Sequence, residues 1–152
     1  MVMIENIMHQ DMLLALIVRR DFTAEGIKFF TPATFSQQLG YMKRPQGYAI
    51  APHDHNPVPR TIEWTQEVLF IRSGRVRLDF YDHDRTYLES RLLAAGDIVL
   101  LAHGGHGLIM LEESEIIEVK QGPFAGEADK TRFEPVSDTD VRYQKRSGRG
   151  GV

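Results

Sequence analysis

Seven residues constrain the fold of this chain more than any others. From Arg75 to Tyr81 apolar and polar side chains alternate without a break: Val76, Leu78 and Phe80 against Arg77, Asp79 and Tyr81. Successive side chains of an extended strand point to opposite faces, so the pattern predicts a half-buried antiparallel strand. Short apolar runs recur around it, each ended by a turn. Val68 to Ile71, opened by Glu67, precedes it and stops at Ser73-Gly74. Asp82 to Arg85 is a polar turn, and Tyr87 to Leu93 pairs back as a hairpin. Ala95-Gly96-Asp97 leads into a buried strand over Ile98 to Leu101. Gly104 to Gly107 makes a further break before strands Leu108 to Leu111 and Ser114 to Gln121, joined by Glu112-Glu113. Many short strands at regular spacing predict an all-β sandwich or barrel.

Upstream, Met12 to Val18 is apolar throughout and reads as a buried strand, and Ile27 to Phe30 as a second short one. Thr31-Pro32 has the form of a helix start, with Thr as N-cap and Pro at the first helical position. Phe35, Leu39 and Met42 then fall on one helical face, which predicts a short helix over Thr34 to Met42, ended at Arg44-Pro45. Residues 1–46 therefore read as strands and a short helix packing on a core over 47–122. Residues 123–144 form an extension in which strand character fades. The basic, glycine-rich 145–152 reads as a disordered tail. The sequence contains no internal repeat.

A chain of 152 residues is long enough for one domain with a sizeable core. A formal net charge of −3 gives no bulk electrostatic case for nucleic acid or an anionic membrane. The absence of cysteine excludes disulfides, thiolate metal sites and cysteine nucleophiles. Met12 to Val18 is too short to span a membrane, and the first five residues lack the basic region of a signal peptide, so the cytoplasm is the default compartment. The glycines fall at strand ends, where turns need them. They form neither a phosphate loop nor a nucleophile elbow around a serine.

The residues that carry chemistry lie between Gly47 and His106. His53 and His55 are two apart, so on an extended segment both imidazoles point to one side. Glu67 places a carboxylate at the start of a buried strand, which is costly unless its charge is compensated. Two imidazoles and a carboxylate are a donor set for a first-row transition metal. The alternative for His53 and His55 is an exposed polar loop, since Asp54 and Asn56 surround them. For Glu67 it is a surface carboxylate on an edge strand. His9 and His83 lie in polar contexts and read as surface residues.

Gly47-x5-His53-x-His55 followed by Glu67-x6-Gly74 resembles the first motif of the cupin superfamily. Eleven residues separate His55 from Glu67 where the family has three or four, so Asn56 to Gln66 is an insertion. Glu63 is the rival carboxylate, but only Glu67 has the family distance to Gly74. The second cupin motif is similar to Gly96-Asp97 through His106, with Ala102 in the place of proline and His106 one residue early. His103 is an extra candidate, and His106 is preferred because it starts the strand after the turn. The resemblance covers about half the chain, Gly47 to Gly122.

It implies a double-stranded β-helix, a jelly-roll barrel holding a divalent transition metal (zinc, manganese, iron or nickel). The ligands carried over are His53, His55, Glu67 and His106. It also implies a homodimer, with Met12 to Val18 available to extend a partner's sheet. Tyr41, Arg60, Lys120 and Gln121 are polar or basic and suited to an anionic or carbohydrate-like metabolite at the barrel mouth. The implied activity is Lewis-acid isomerase, epimerase, lyase or dioxygenase chemistry. A non-catalytic ligand-binding module is the second expectation.

Overall fold

The structure, a computed structural model, describes residues 2–144, so the tail expected over 145–152 lies outside the described residues. Ten strands follow in order: β1 (Ile4–His9), β2 (Met12–Val18), β3 (Gly26–Phe29), β4 (Gly40–Lys43), β5 (Glu67–Ser73), β6 (Arg75–Tyr81), β7 (Tyr87–Ala94), β8 (Ile98–Leu101), β9 (Gly105–Met110) and β10 (Glu115–Lys120). They form a five-stranded sheet in the order β1-β2-β8-β5-β10, a three-stranded sheet β7-β6-β9 and a separate ribbon β3-β4. The strand pairs are antiparallel. The chain is all-β, and the sheets of the described residues do not close into a barrel. Among the described residues no helix is long and apolar enough to cross a membrane.

Two nested pairings set the architecture. β5 pairs with β10, and β6, which follows β5 directly, pairs with β9, which directly precedes β10. Both strand-to-strand crossings lie side by side, where the Leu111 amide donates to the Arg75 carbonyl at 2.9 Å. Gly74 sits in this crossing at φ 83°, and a Cβ there would collide with Glu113 and Ser114. Only glycine tolerates both demands. The inner faces of the two larger sheets pack Ala15, Ile17, Leu69, Ile71 and Val99 against Val76, Leu78, Phe80 and Leu93.

The alternation over Arg75 to Tyr81 holds, but β6 is buried on both faces from Val76 onward. Residues after Glu134 account for the second face. The Ser90 amide donates to the Arg142 carbonyl at 2.9 Å, and the Val136 amide to the Tyr81 hydroxyl at 2.9 Å. Beneath this strap Arg77 donates twice to Asp79, at 2.9 and 3.1 Å, and once to Asp138 at 3.0 Å. A second buried cluster ties the sheets together. Arg19, just after β2, reaches Glu5 on β1, Asp97 before β8 and the Leu92 carbonyl on β7, each at 2.8 Å.

Three expectations are corrected. The helix over Thr34 to Met42 is absent: residues 32–39 are turns and bends, and Gly40–Lys43 is β4. Pairing with β3 outcompetes a helix too short to be stable alone. The Phe30 amide bonds the Leu39 carbonyl, and Thr31 Oγ1 accepts from the Leu39 amide instead of capping a helix. The break expected over Gly104 to Gly107 shrinks, because β9 begins at Gly105. Finally, β2 lies between β1 and β8, so Met12 to Val18 has no free edge for a partner's sheet.

Removing one member of a buried ion pair strands the other charge, which typically costs about 3–5 kcal/mol. Asp79→Ala is therefore expected to lower unfolding free energy by about that much. Arg75→Ala, whose partner Glu112 is as exposed as itself, should change it by under about 1 kcal/mol. Equal losses in urea titrations of the two variants would contradict the buried role of Asp79.

Candidate functional site

Glu67 opens β5 on the inner face it shares with Leu69 and Ile71, and its cross-strand partners are Leu101 and Lys120. His106 is the second residue of β9 and lies opposite Phe80, also on the inner face. The two side chains meet across the space between the sheets, with His106 Nε2 3.3 Å from Glu67 Oε2. The Glu67 side chain is 11% exposed and that of His106 31%, so the pair sits where the interior opens to solvent. The hydrogen bond from His106 holds the Glu67 carboxyl below the usual glutamate range, against the upward push of burial. Lys120 and Lys130 add to the lowering.

Beside this pair lies a cavity of about 340 Å³. Arg60, Trp64, Lys120, Gln121, Phe124 and Asp129 are among the residues lining it. Lys120 connects cavity and carboxylate, since it borders both. Thr65 Oγ1 donates to Asp129 at 2.7 Å and fixes one wall, and the Gln121 amide bonds the Gln66 carbonyl at 2.9 Å. Of the expected metabolite-binding residues, Arg60, Lys120 and Gln121 come together here. Tyr41 stands elsewhere, on β4, edge-on to Phe22 at 5.1 Å. Glu63 also lines the cavity.

His53 and His55 lie in the exposed segment between β4 and β5. Their rings are neighbours, 5.4 Å apart between centroids, as the spacing of two predicts. His53 Nδ1 is 2.9 Å from the Ala51 carbonyl oxygen. The four residues expected as ligands thus stand as two pairs, Glu67 with His106 and His53 with His55. Among the described residues no group of three or more His, Asp or Glu side chains is disposed to hold a metal ion. In kind, three imidazoles and a carboxylate fit zinc, manganese, iron or nickel. In position, only Glu67 and His106 meet across the two sheets, at the edge of the interior.

His103 takes a different place. Its ring stands edge-on to Phe35 at 6.0 Å and Trp64 at 5.7 Å, with His83 6.0 Å away. Burial, reinforced by the His83 imidazole, holds it below the ordinary histidine range. His83 is exposed, with its ring 5.0 Å from Trp64. The residues that sequence reasoning missed are Trp64, Phe124 and Asp129. Trp64 carried a signal, being the chain's one tryptophan and three residues before Glu67. Phe124 and Asp129 lie past the last strand and carried none. No family model matches the chain, and no curated protein or solved structure matches it either.

The contact between Glu67 and His106 has a direct readout. In metal-free protein the Glu67 carboxyl should titrate below ordinary glutamates in a carbon-detected NMR pH series, and the stability it contributes is lost as pH falls through that depressed value. His106→Ala removes the leading cause and leaves burial, so the midpoint should move up. An unchanged midpoint would show that His106 does not act on Glu67.

Proposed function

We propose that this chain is a metal-binding protein of the cupin type, a double-stranded β-helix that takes a small polar metabolite into the cavity beside Glu67. The observation that carries the reading is the convergence of Glu67 and His106 from facing sheets. These are the carboxylate and the histidine at which the two motif-like stretches place ligands. The nested pairing of β5-β6 with β9-β10 supports the jelly-roll winding. Arg60 and Lys120 supply cations for an anionic or hydroxyl-rich ligand, and Trp64 and Phe124 supply apolar wall. His53 and His55 would complete the ligand set with Glu67 and His106. A divalent metal held by these residues supplies Lewis-acid chemistry. The chain's own contribution is distinct: Lys120 offsets the charge of Glu67.

A second reading has a specific observation in its favour. Glu67 and His106 are already in contact, so they suffice as a hydrogen-bonded pair clamping the two sheets. The cavity would then bind its ligand without metal, as a non-catalytic module.

Elemental analysis of purified protein separates the two. The metal reading predicts about one divalent ion per chain, since the four ligands form one site. His53→Ala and His106→Ala should lose most of it, and His83→Ala should keep it. Affinity should fall on acidification, because each ligating imidazole must be neutral. Equal metal content in His53→Ala and His83→Ala would refute the ligand assignment. Metal-free wild type would favour the clamp.

A further inference from the structure

We propose that Met12, His83 and His103, with the indole of Trp64 beside them, form a second metal site, one that takes a soft monovalent cation of the copper(I) class. Four parts of the chain meet there: the first residue of β2, the turn between β6 and β7, the residues just after β8 and the segment before β5. His83 Nε2 lies 3.2 Å from Met12 Sδ. The His83 and His103 rings are 6.0 Å apart between centroids. The Trp64 indole is 5.0 Å from the first ring and 5.7 Å from the second. The His103 amide donates to the Leu14 carbonyl at 3.2 Å, which ties it to β2 close to Met12.

Two features of this cluster are not explained by packing. His103 Nδ1 is buried and has no hydrogen-bond partner among the described residues. A buried polar atom left so is costly and uncommon. His83 is exposed, yet its Nε2 stands against a thioether, a weak acceptor, where water would serve it better. A bound cation answers both, since it takes lone pairs from imidazole nitrogen and from sulfur. Burial and the His83 imidazole already hold His103 below the ordinary histidine range. The ring is therefore neutral, the form that a metal ligand needs.

The spacings suit one ion. A metal–nitrogen bond of about 2.0 Å puts the ion about 3.1 Å from a ring centroid, so two rings on one ion stand at most about 6.2 Å apart. The observed 6.0 Å falls within that limit. Sulfur and nitrogen at the observed 3.2 Å subtend about 95° at an ion with bonds of about 2.3 and about 2.0 Å. The donors also choose the metal. Asp82, next to His83, is engaged elsewhere: Oδ1 accepts the Asp84 and Thr86 amides at 2.9 Å, and Oδ2 faces His9 at 3.9 Å. That leaves two neutral imidazoles and a thioether, with no carboxylate to offset a divalent charge. Thioether sulfur selects copper(I), and an indole within about 6 Å attracts a cation through its ring face. No residue is shared with the divalent site proposed above, so either site can fail alone, and His83→Ala still keeps the divalent ion.

Silver(I) nitrate in chloride-free buffer is the probe, because silver(I) shares the charge and softness of copper(I) without its oxidation by air. Trp64 is the chain's one tryptophan and reports binding by its fluorescence. Titration of the full chain should quench it saturably. Met12 is 40% exposed and His83 is exposed, so Met12→Leu and His83→Ala should fold, with unchanged circular dichroism. Each should weaken silver binding by at least about tenfold. Met110→Leu, at an exposed methionine on β9, and His53→Ala should bind silver as wild type does. Absence of saturable quenching, a Met12→Leu variant that binds as tightly as Met110→Leu, or a loss in His53→Ala as large as that in His83→Ala would each overturn the proposal.

Discussion

The structure depends on the register of β5 against β10. Glu67 pairs with Lys120, Leu69 with Glu118 and Ile71 with Ile116 on the inner side, while Val68 pairs with Val119 and Phe70 with Ile117 on the outer side. A slip of one residue would exchange the two sets and put Glu67 on the surface. The crossing at Gly74 and Leu111 fixes that register by joining both strands to β6 and β9 at the same point. The apolar layer of Leu69, Ile71, Leu78 and Phe80 then seals one end of the space between the sheets. The other end remains polar and open. There Glu67 meets His106, and Lys120 faces the cavity.

The buried charges have a different role from this pair. Arg19 with Glu5 and Asp97, and Arg77 with Asp79, are satisfied by several charge-assisted hydrogen bonds each and face no cavity shared with Glu67. They tie sheet to sheet and hold the strap after Glu134. The Glu67–His106 contact is a single bond at 3.3 Å between partly exposed groups, a geometry that leaves oxygen and nitrogen positions free for a further partner.

Much of the fold was legible in the sequence because its strands follow simple rules. The alternation of β6, the apolar run of β2 and the turn at Gly96 each appear where local pattern predicts them. The failures have physical causes. The helix expected at Phe35, Leu39 and Met42 gave way to long-range pairing of β4 with β3, which no local window contains. Arg77 and Asp79 read as solvent-facing because their cover comes from residues sixty positions later. Arg60 and Lys120 were recognisable by chemistry and do share a cavity, whereas Tyr41 had the same chemistry and stands on another ribbon. The Glu67–His106 meeting followed from motif spacing. The separate placement of His53 and His55 did not, because nothing local in residues 44–66 determines where a segment without strand or helix lies.

The central claim is that Glu67, His106, His53 and His55 share one metal ion. X-ray absorption at the edge of any metal that copurifies with the protein tests it most directly. The account predicts a first shell at about 2.0–2.2 Å with the multiple-scattering signature of about three imidazoles and one carboxylate oxygen. A shell of oxygen alone, or one imidazole with waters, would contradict it and leave Glu67 and His106 as a hydrogen-bonded contact between two sheets.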